Sequence, residues 1–362
     1  MPISVHGTTD ITAVSLGLAK NGKSVCIIGT GTKDVKTKEN ELLTIFSIAD
    51  GEAKFGANSD TAKMIEVLFK NGVKSVFAIM ADKLSDLGKG SDEAENKYGK
   101  AFDELLKYNH IKILLVDKTD PKIIAKLKDH LDLAESQDIL RYAVVGTDSD
   151  TNEKLTEFAG TLNSKRMFVP GPQVLGSGGK AVSPLMSCAG LASLISTETN
   201  DPALPMNGVM MNGFYGVSRV LLKTECDALA NGGVTPLCGD NGKPTIYKLM
   251  TTYTKDNNKQ TDHTWSDGTT ILIADKVLDD CRNRIKSKYK RTKNVARILD
   301  AMRTDIIDVL QTNEGLEIIQ NVDTNTISVI KDPNDVFGAL IDYEFDVVTP
   351  LYTVTIRQHV KL

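Results

Sequence analysis

Between residues 23 and 168, short apolar runs rich in β-branched side chains alternate with stretches whose apolar residues stand three and four apart. The runs span residues 25–28, 76–80, 111–116 and 142–145. Such runs predict buried strands, and the spacing between them predicts amphipathic helices. Because strands and helices alternate, we expect residues 23–168 to form an α/β domain with a mostly parallel sheet.

Two helix starts can be predicted within this domain. Asp120-Pro121 places a side-chain acceptor before a proline at the first helical position. Asp150 with Glu153 three residues later is typical of a capping box, and it precedes apolar residues at helical spacing.

The remaining chain predicts a second, α+β domain over residues 169–348. Its first part, residues 169–182, is rich in Pro and Gly and reads as a linker, and residues 181–270 predict loops and short elements. Beyond residue 270, two sets of apolar residues at helical spacing each predict an apolar stripe along one helix. Segments with β-like alternation follow. The stripes are Val277, Cys281, Ile285 and Tyr289, and Val295, Ile298, Leu299, Met302, Ile306 and Val309, with Gly315 as a stop.

Composition excludes several classes of protein. The net charge of -4 is not that of a basic nucleic-acid-binding module. No apolar run is long enough to span a membrane, and the N-terminus lacks a secretory signal, so we expect folding in a cytoplasm. The five scattered cysteines argue against a disulfide framework.

Motifs of catalysis and cofactor binding are incomplete. Gly29-Thr30-Gly31 follows a predicted strand but lacks the third glycine of a dinucleotide fingerprint, since position 34 is Asp34. The segment 176–180 resembles a phosphate-binding loop, but Val174 and Ala181 replace its glycine and its hydroxyl. No histidine stands at metal-ligand spacing from another histidine or a cysteine. We expect no catalytic residues, cofactor or metal.

One dense charge feature lies between Arg282 and Arg303, where Asp300 is the single acidic residue. Three of the basic residues, Arg282, Lys286 and Lys290, stand four apart and would share a helix face. The cluster is either a solvated face or a contact for an acidic partner, which could be nucleic acid or protein. Few aromatic residues interleave with it, which disfavours nucleic acid.

The last segment of the chain alternates cleanly. Tyr352, Val354 and Ile356 would point to one face of a strand. This strand either completes the chain's own sheet or is donated to the sheet edge of a neighbouring subunit.

The order of these features resembles the contractile tail sheath proteins. In the C-terminal third, Asp267-Gly268-Thr269-Thr270-Ile271-Leu272 leads into a helix, a basic turn and a second helix, and a Tyr-x-Val-x-Ile alternation follows. Upstream, residues 183–191 and 228–234 resemble the family's Pro- and Gly-containing segments. The likeness covers residues 170–362 best and 20–80 in part, and it depends on patterns, not on a catalytic signature.

This resemblance implies a structural protein and not an enzyme. Sheath subunits form stacked hexameric rings around a tail tube, linked by N- and C-terminal arms that pair with neighbouring strands, and contraction switches the polymer between two packings. It implies an outer α/β domain, a C-terminal α+β sheath domain, and arms at residues 1–22 and 349–362 that include Tyr352, Val354 and Ile356. The tube-facing candidates are Arg282, Lys286, Lys290, Lys293 and Arg297.

Partners and location follow from the same resemblance. They are other copies of the chain, the tail tube protein, and baseplate and tail terminator proteins, with no direct nucleic-acid contact and no membrane insertion. The protein would act in a virion or tail-like particle assembled in a bacterial cytoplasm. Two alternatives stay open: a nucleotide-binding α/β enzyme, and a nucleic-acid-binding protein that uses residues 282–303.

Overall fold

The structure is a computed structural model that describes residues 23–83, 92–197 and 201–359. The expected N-terminal arm, residues 1–22, lies outside the described residues, as do the last three residues of the expected C-terminal arm.

The described chain alternates strands and helices in its first part and is mixed in its second. The strands are β1 Ser24–Gly31, β2 Leu42–Ile45, β3 Val76–Lys83, β4 Ile111–Val116, β5 Tyr142–Val144, β6 Met167–Phe168, β7 Pro170–Gly171, β8 Thr235–Asp240, β9 Lys243–Ile246, β10 Ile319–Gln320, β11 Ser328–Lys331, β12 Ala339–Asp342 and β13 Asp346–Val347. The helices are α1 Ile48–Phe55, α2 Asp60–Lys70, α3 Asp92–Leu105, α4 Pro121–Ser136, α5 Asn152–Leu162, α6 Pro184–Thr197, α7 Lys223–Asn231, α8 Gly268–Lys288 and α9 Ala296–Gly315.

The main sheet has six strands in the order β2-β3-β1-β4-β5-β6. All neighbouring strands are parallel except the edge strand β2, which runs antiparallel to β3. The predicted α/β fold with a mostly parallel sheet is therefore confirmed. The four apolar runs found in the sequence are β1, β3, β4 and β5.

Successive residues of each central strand pack into two different cores, because side chains alternate across a sheet. Val25 and Ile27 of β1 lie in the cluster covered by α2 and α6. Cys26 and Ile28 lie in the cluster covered by α3, α4, α5 and α7. Burial on both faces explains why these strands appear as continuous apolar runs and not as alternation.

Helix starts follow the sequence with one correction. Asp120 caps α4 as expected, with its carboxylate accepting the Lys122 amide and Pro121 at the first position. Thr151 and not Asp150 caps α5. The Asp150 carboxylate instead accepts a hydrogen bond from the backbone amide of Gln173 at 2.8 Å. This bond fixes the segment that follows the last strand of the main sheet.

The segment expected to be a linker and loops packs tightly on the sheet. β7 pairs with β8, and Val169 and Val174 are fully buried. The sequence failed to predict α6 because Leu185–Ser196 is buried all round and shows no amphipathic stripe. The first core therefore runs past Phe168, and we propose that the first unit extends to about residue 272.

The C-terminal part is built on two long helices, α8 and α9, as the two apolar stripes predicted. Its separate core joins Ile273, Val277 and Cys281 of α8 to Ile306 and Leu310 of α9. Two small antiparallel sheets, β10-β13 and β11-β12, lie against these helices. Ile271 and Leu272 of α8 belong to the first core, so α8 is shared by both cores.

The β-like alternation near the end of the chain forms less strand than the sequence predicts. Only Asp346–Val347 pairs, with β10, and residues 348–359 form no strand within the described chain. Within the described residues, this segment pairs with no strand of the chain's own sheets.

Candidate assembly surfaces

The C-terminal arm, residues 349–359, runs over the surface with its apolar side chains turned to solvent. Val354 is 71% exposed and Ile356 is 87% exposed. Exposed, alternating apolar residues without a strand partner are typical of a segment that pairs with another chain.

Tyr352 fixes the root of this arm. Its hydroxyl donates to the Asp267 carboxylate at 2.8 Å, and the Lys248 ammonium lies 5.5 Å from the centre of its ring. Burial, and then the negative charge of Asp267, raise the pKa of Tyr352. Asp267 also accepts the Thr269 amide at the start of α8. One carboxylate therefore holds both the arm and the helix.

The β11-β12 hairpin forms a two-stranded sheet of its own. Its two strands pair with each other in the register Ser328 opposite Asp342, and within the described residues neither has a further partner strand. The Arg303 guanidinium on α9 donates to the carbonyl oxygens of Ile327 at 2.7 Å and Thr324 at 2.5 Å. The hairpin is thus held against α9, and in the described part of the chain neither of its edges pairs with a further strand.

The basic cluster divides into paired and exposed residues. Arg282 forms an ion pair with Asp138, and Arg284 and Lys288 both pair with Asp305. Lys288 is exposed even though it is paired, and the exposed basic residues for which no carboxylate partner lies among the described residues are Lys286, Lys290, Arg291, Lys293 and Arg297. Helix α8 ends at Lys288, so Lys290 lies in the turn before α9 and not on the predicted helix face, and Lys293 lies in the same turn.

Sequence reasoning missed a buried ionic cluster that joins α8 to the sheet. The Arg166 guanidinium donates to Asp275 at 2.7 and 3.1 Å and to Glu135 at 2.9 Å, and Tyr142 also donates to Asp275. Burial opposes ionisation of Glu135, but hydrogen bonds from Arg166 and Lys165 lower its pKa to about 2. The available signal was Asp275 itself, a carboxylate inside an apolar run.

The end of β1 is packed against a buried carboxylate. The Asp117 carboxylate accepts the Thr30 amide at 2.8 Å and its hydroxyl at 2.7 Å, and Tyr98 also donates to it. A Cβ on Gly29 would lie 2.2 Å from Thr61 Oγ1, so the glycine serves close packing. Lys118 Nζ lies 3.5 Å from the same carboxylate, so the groups around Gly29-Thr30-Gly31 are satisfied by contacts within the protein.

The second glycine-rich segment is a tight turn. Leu175 and Ala181 form an isolated antiparallel β-bridge. The Gly176 amide donates to the Lys180 carbonyl oxygen at 2.9 Å. Gly178 and Gly179 have φ of 79° and 70°, a conformation that favours glycine. The turn explains the glycines without a ligand.

The described residues show neither a metal-binding cluster nor a membrane-spanning helix. Residues 23–83, 92–197 and 201–359 contain no group of three or more His, Cys, Asp or Glu side chains placed to hold a metal ion. Among the same residues, no helix combines the length and the apolar character needed to cross a bilayer.

Comparison with known proteins supports the resemblance to sheath proteins. Residues 260–361 match the family model of the phage tail sheath C-terminal domain. No curated protein matches the chain closely enough in sequence to count as a relative.

Solved structures match the fold over nearly the whole chain. The sheath tail protein of Desulfitobacterium hafniense has a TM-score of 0.69 at 11% identity, covering 96% of this chain and 97% of that one. The contracted helical sheath of the anti-feeding prophage has a TM-score of 0.71 at 12% identity, covering 99% and 98%. The sheath tail protein of Listeria innocua has a TM-score of 0.69 at 12% identity, covering 93% and 96%. The chain has the fold of tail sheath proteins.

Proposed function

We propose that this chain is the subunit of a contractile sheath that polymerises as stacked hexameric rings around a tail tube. The observation that carries the proposal is the C-terminal arm, which is anchored at Tyr352 and has exposed alternating residues beyond it. The sheath-protein fold and the match of residues 260–361 support it. The function is structural, and contraction drives the tube through a cell envelope.

The arm links subunits by adding a strand to a neighbour's β11-β12 hairpin. Each backbone hydrogen bond formed contributes about 0.5–1.5 kcal/mol net, so four bonds contribute roughly 2–6 kcal/mol per contact. Anchoring through Tyr352 lowers the entropic cost of ordering the arm, because its root already has a fixed position. Such links stay intact when the packing of subunit bodies changes.

The exposed basic residues Lys286, Lys290, Lys293 and Arg297 face an acidic tube in this proposal. Arg282 is less suited to that role than the sequence suggested, because Asp138 already neutralises it. Baseplate and terminator proteins would meet the ends of the sheath. The setting is a virion or tail-like particle assembled in a bacterial host, and a chain of the anti-feeding prophage baseplate shares the fold with a TM-score of 0.69 at 13% identity.

Two proline variants test strand addition. Proline donates no backbone hydrogen bond, and successive amides of a strand point to opposite sides. Either Val354→Pro or Thr355→Pro should therefore interrupt pairing with one neighbour, and tube length in negative-stain electron micrographs should fall sharply in that variant.

The matched controls are Val354→Ala and Thr355→Ala, which keep the amides. Both should form tubes of normal length, and all variants should keep the far-ultraviolet circular dichroism of the parent. Tubes of normal length from both proline variants would refute strand addition by this arm.

A further inference from the structure

Two reduced cysteines face each other across the packing of α7 on β8. The Sγ atoms of Cys226 and Cys238 lie 3.3 Å apart. Cys226 is 2% exposed, and Cys238 is partly exposed. One thiol is therefore open to a small reagent while its neighbour is shielded from direct attack.

The elements that carry the two thiols are held in place. The amide of Val234 donates to the carbonyl of Leu229 at 3.0 Å, which fixes the turn from α7 into β8. Cys238 pairs with Thr245 in the β8-β9 hairpin. The short sulfur–sulfur distance thus lies between two elements that hydrogen bonds hold in place.

A metal site does not explain this pair. The described residues place no third histidine, cysteine or carboxylate with the two thiols in a group able to hold a metal ion. Structural zinc sites in proteins need four ligands, mostly cysteine and histidine. Two adjacent thiols without further ligands are suited to oxidation instead.

We propose that Cys226 and Cys238 form a redox-active dithiol that closes into an intrachain disulfide when the protein meets a low-molecular-weight disulfide. The proposal is independent of the sheath function. It assigns a modification site to the junction of α7 with the β8-β9 hairpin.

The chemistry is a balanced thiol–disulfide exchange. The Cys238 thiolate attacks one sulfur of the reagent, forming a mixed disulfide and releasing one reagent thiolate. The Cys226 thiol loses its proton to solvent and attacks Cys238 Sγ, which forms the Cys226–Cys238 bond and releases the second reagent thiolate. Two protein thiols are oxidised, and one reagent disulfide is reduced to two thiols.

Accessibility sets the order of attack. Burial, followed by the neighbouring Cys238 and the acidic residues Asp227 and Glu225, raises the pKa of Cys226 to about 12, so it is a poor first nucleophile. Once the mixed disulfide has formed, Cys226 lies beside its target and the second step is intramolecular.

The test uses the folded full-length chain and 4,4′-dithiodipyridine. We expect two equivalents of 4-thiopyridone per chain, a mass lower by two hydrogen atoms, and no retained reagent. Peptide mapping without reduction should recover a link between Cys226 and Cys238. Cys26, Cys188 and Cys281 are buried and should release no further 4-thiopyridone, so a release above two equivalents would contradict the proposal.

Three variants make the result decisive. Cys226→Ser should stop at a stable mixed disulfide on Cys238 with one equivalent released. Cys238→Ser should react at least tenfold more slowly, and Cys188→Ser, which removes another buried thiol, should behave as the parent. A parent chain that retains one reagent molecule on Cys238 overturns the proposal, as does equal release from the parent and Cys226→Ser.

Discussion

Arg166 is a buried cation, and two carboxylates compensate its loss of hydration. Asp275 binds it through two hydrogen bonds and Glu135 through one, so the guanidinium is held in a fixed orientation. Removing one partner of such a cluster leaves uncompensated buried charge, which costs about 3–5 kcal/mol. We expect Arg166→Met to lower the free energy of unfolding by about that amount in urea titrations.

The double variant Arg166→Met with Asp275→Asn distinguishes charge from packing. Because the amide removes the unpaired charge at α8 and keeps an acceptor for the Tyr142 hydroxyl, this variant should recover part of the lost stability. Equal stability of the two variants would mean that the cost comes from lost packing and not from the unpaired Asp275.

His130 gives the molecule a pH dependence on the acidic side. Its ring lies 2.8 Å from the Arg141 guanidinium, and burial, then that charge, lower the pKa of His130 to about 3. The unfolded chain takes up a proton near pH 6.5 while the folded chain does not, so stability is present above pH 6.5 and is lost as pH falls toward 3. The expected slope is about 1 kcal/mol per pH unit.

Urea titrations between pH 7 and pH 5 isolate this effect, since carboxyl groups of the unfolded chain titrate lower. His130→Gln keeps an acceptor for Arg141 and should flatten the slope. Burial also lowers the pKa of His110. A smaller dependence of the free energy of unfolding on pH should therefore remain in His130→Gln. An unchanged slope in His130→Gln would contradict the assignment.

At the scale of elements, the β11-β12 hairpin depends on α9 for its position. Arg303 donates to two carbonyl groups at the hairpin base, and hydrogen bonds from a charged donor contribute about 1.5–3 kcal/mol each. Arg303→Leu should therefore raise amide hydrogen exchange in residues 326–342 by about tenfold or more. Exchange in β1 and β4 should not change.

Arg297→Leu is the matched control, because this arginine lies on the same helix but is exposed and makes no ion pair among the described residues. Equal exchange in the two variants would show that α9 does not hold the hairpin through Arg303. If the hairpin accepts the arm of a neighbour, Arg303→Leu should also shorten the tubes.

For the whole molecule, charge placement decides which surface meets a tube. Lys286, Lys293 and Arg297 are exposed near the turn between α8 and α9. Reversing all three to Glu should weaken co-sedimentation with the tube protein by about three- to tenfold at low salt, and the difference should shrink as salt rises. Lys154→Glu, an exposed reversal on α5, is the control and should bind normally.

The charge reversals also separate the tube assignment from a contact between sheath subunits. Normal tube binding combined with failed polymerisation would move the basic residues to a subunit interface. Normal results in both assays would leave them as a solvated surface and contradict the proposal.

Much of the fold was predictable because its signals are local. Strands buried on both faces show as apolar runs, and helices with one exposed face show apolar residues three and four apart, as in α8 and α9. Asp120-Pro121 marks a helix start that depends on neighbouring residues alone. The alternation at Tyr352, Val354 and Ile356 is also visible in the sequence, and its pairing with another chain stays a prediction.

The tertiary structure decided what depends on residues far apart in the chain. Helix α6 was missed because burial on all sides removes the polar face that reveals a helix. Arg282 was predicted to be available, yet Asp138, 144 residues away, pairs with it. The arm's anchor on Asp267 and the facing thiols of Cys226 and Cys238 likewise arise from packing. Sequence specifies local conformation through neighbouring residues, whereas the partner of a charge or thiol depends on how distant elements pack.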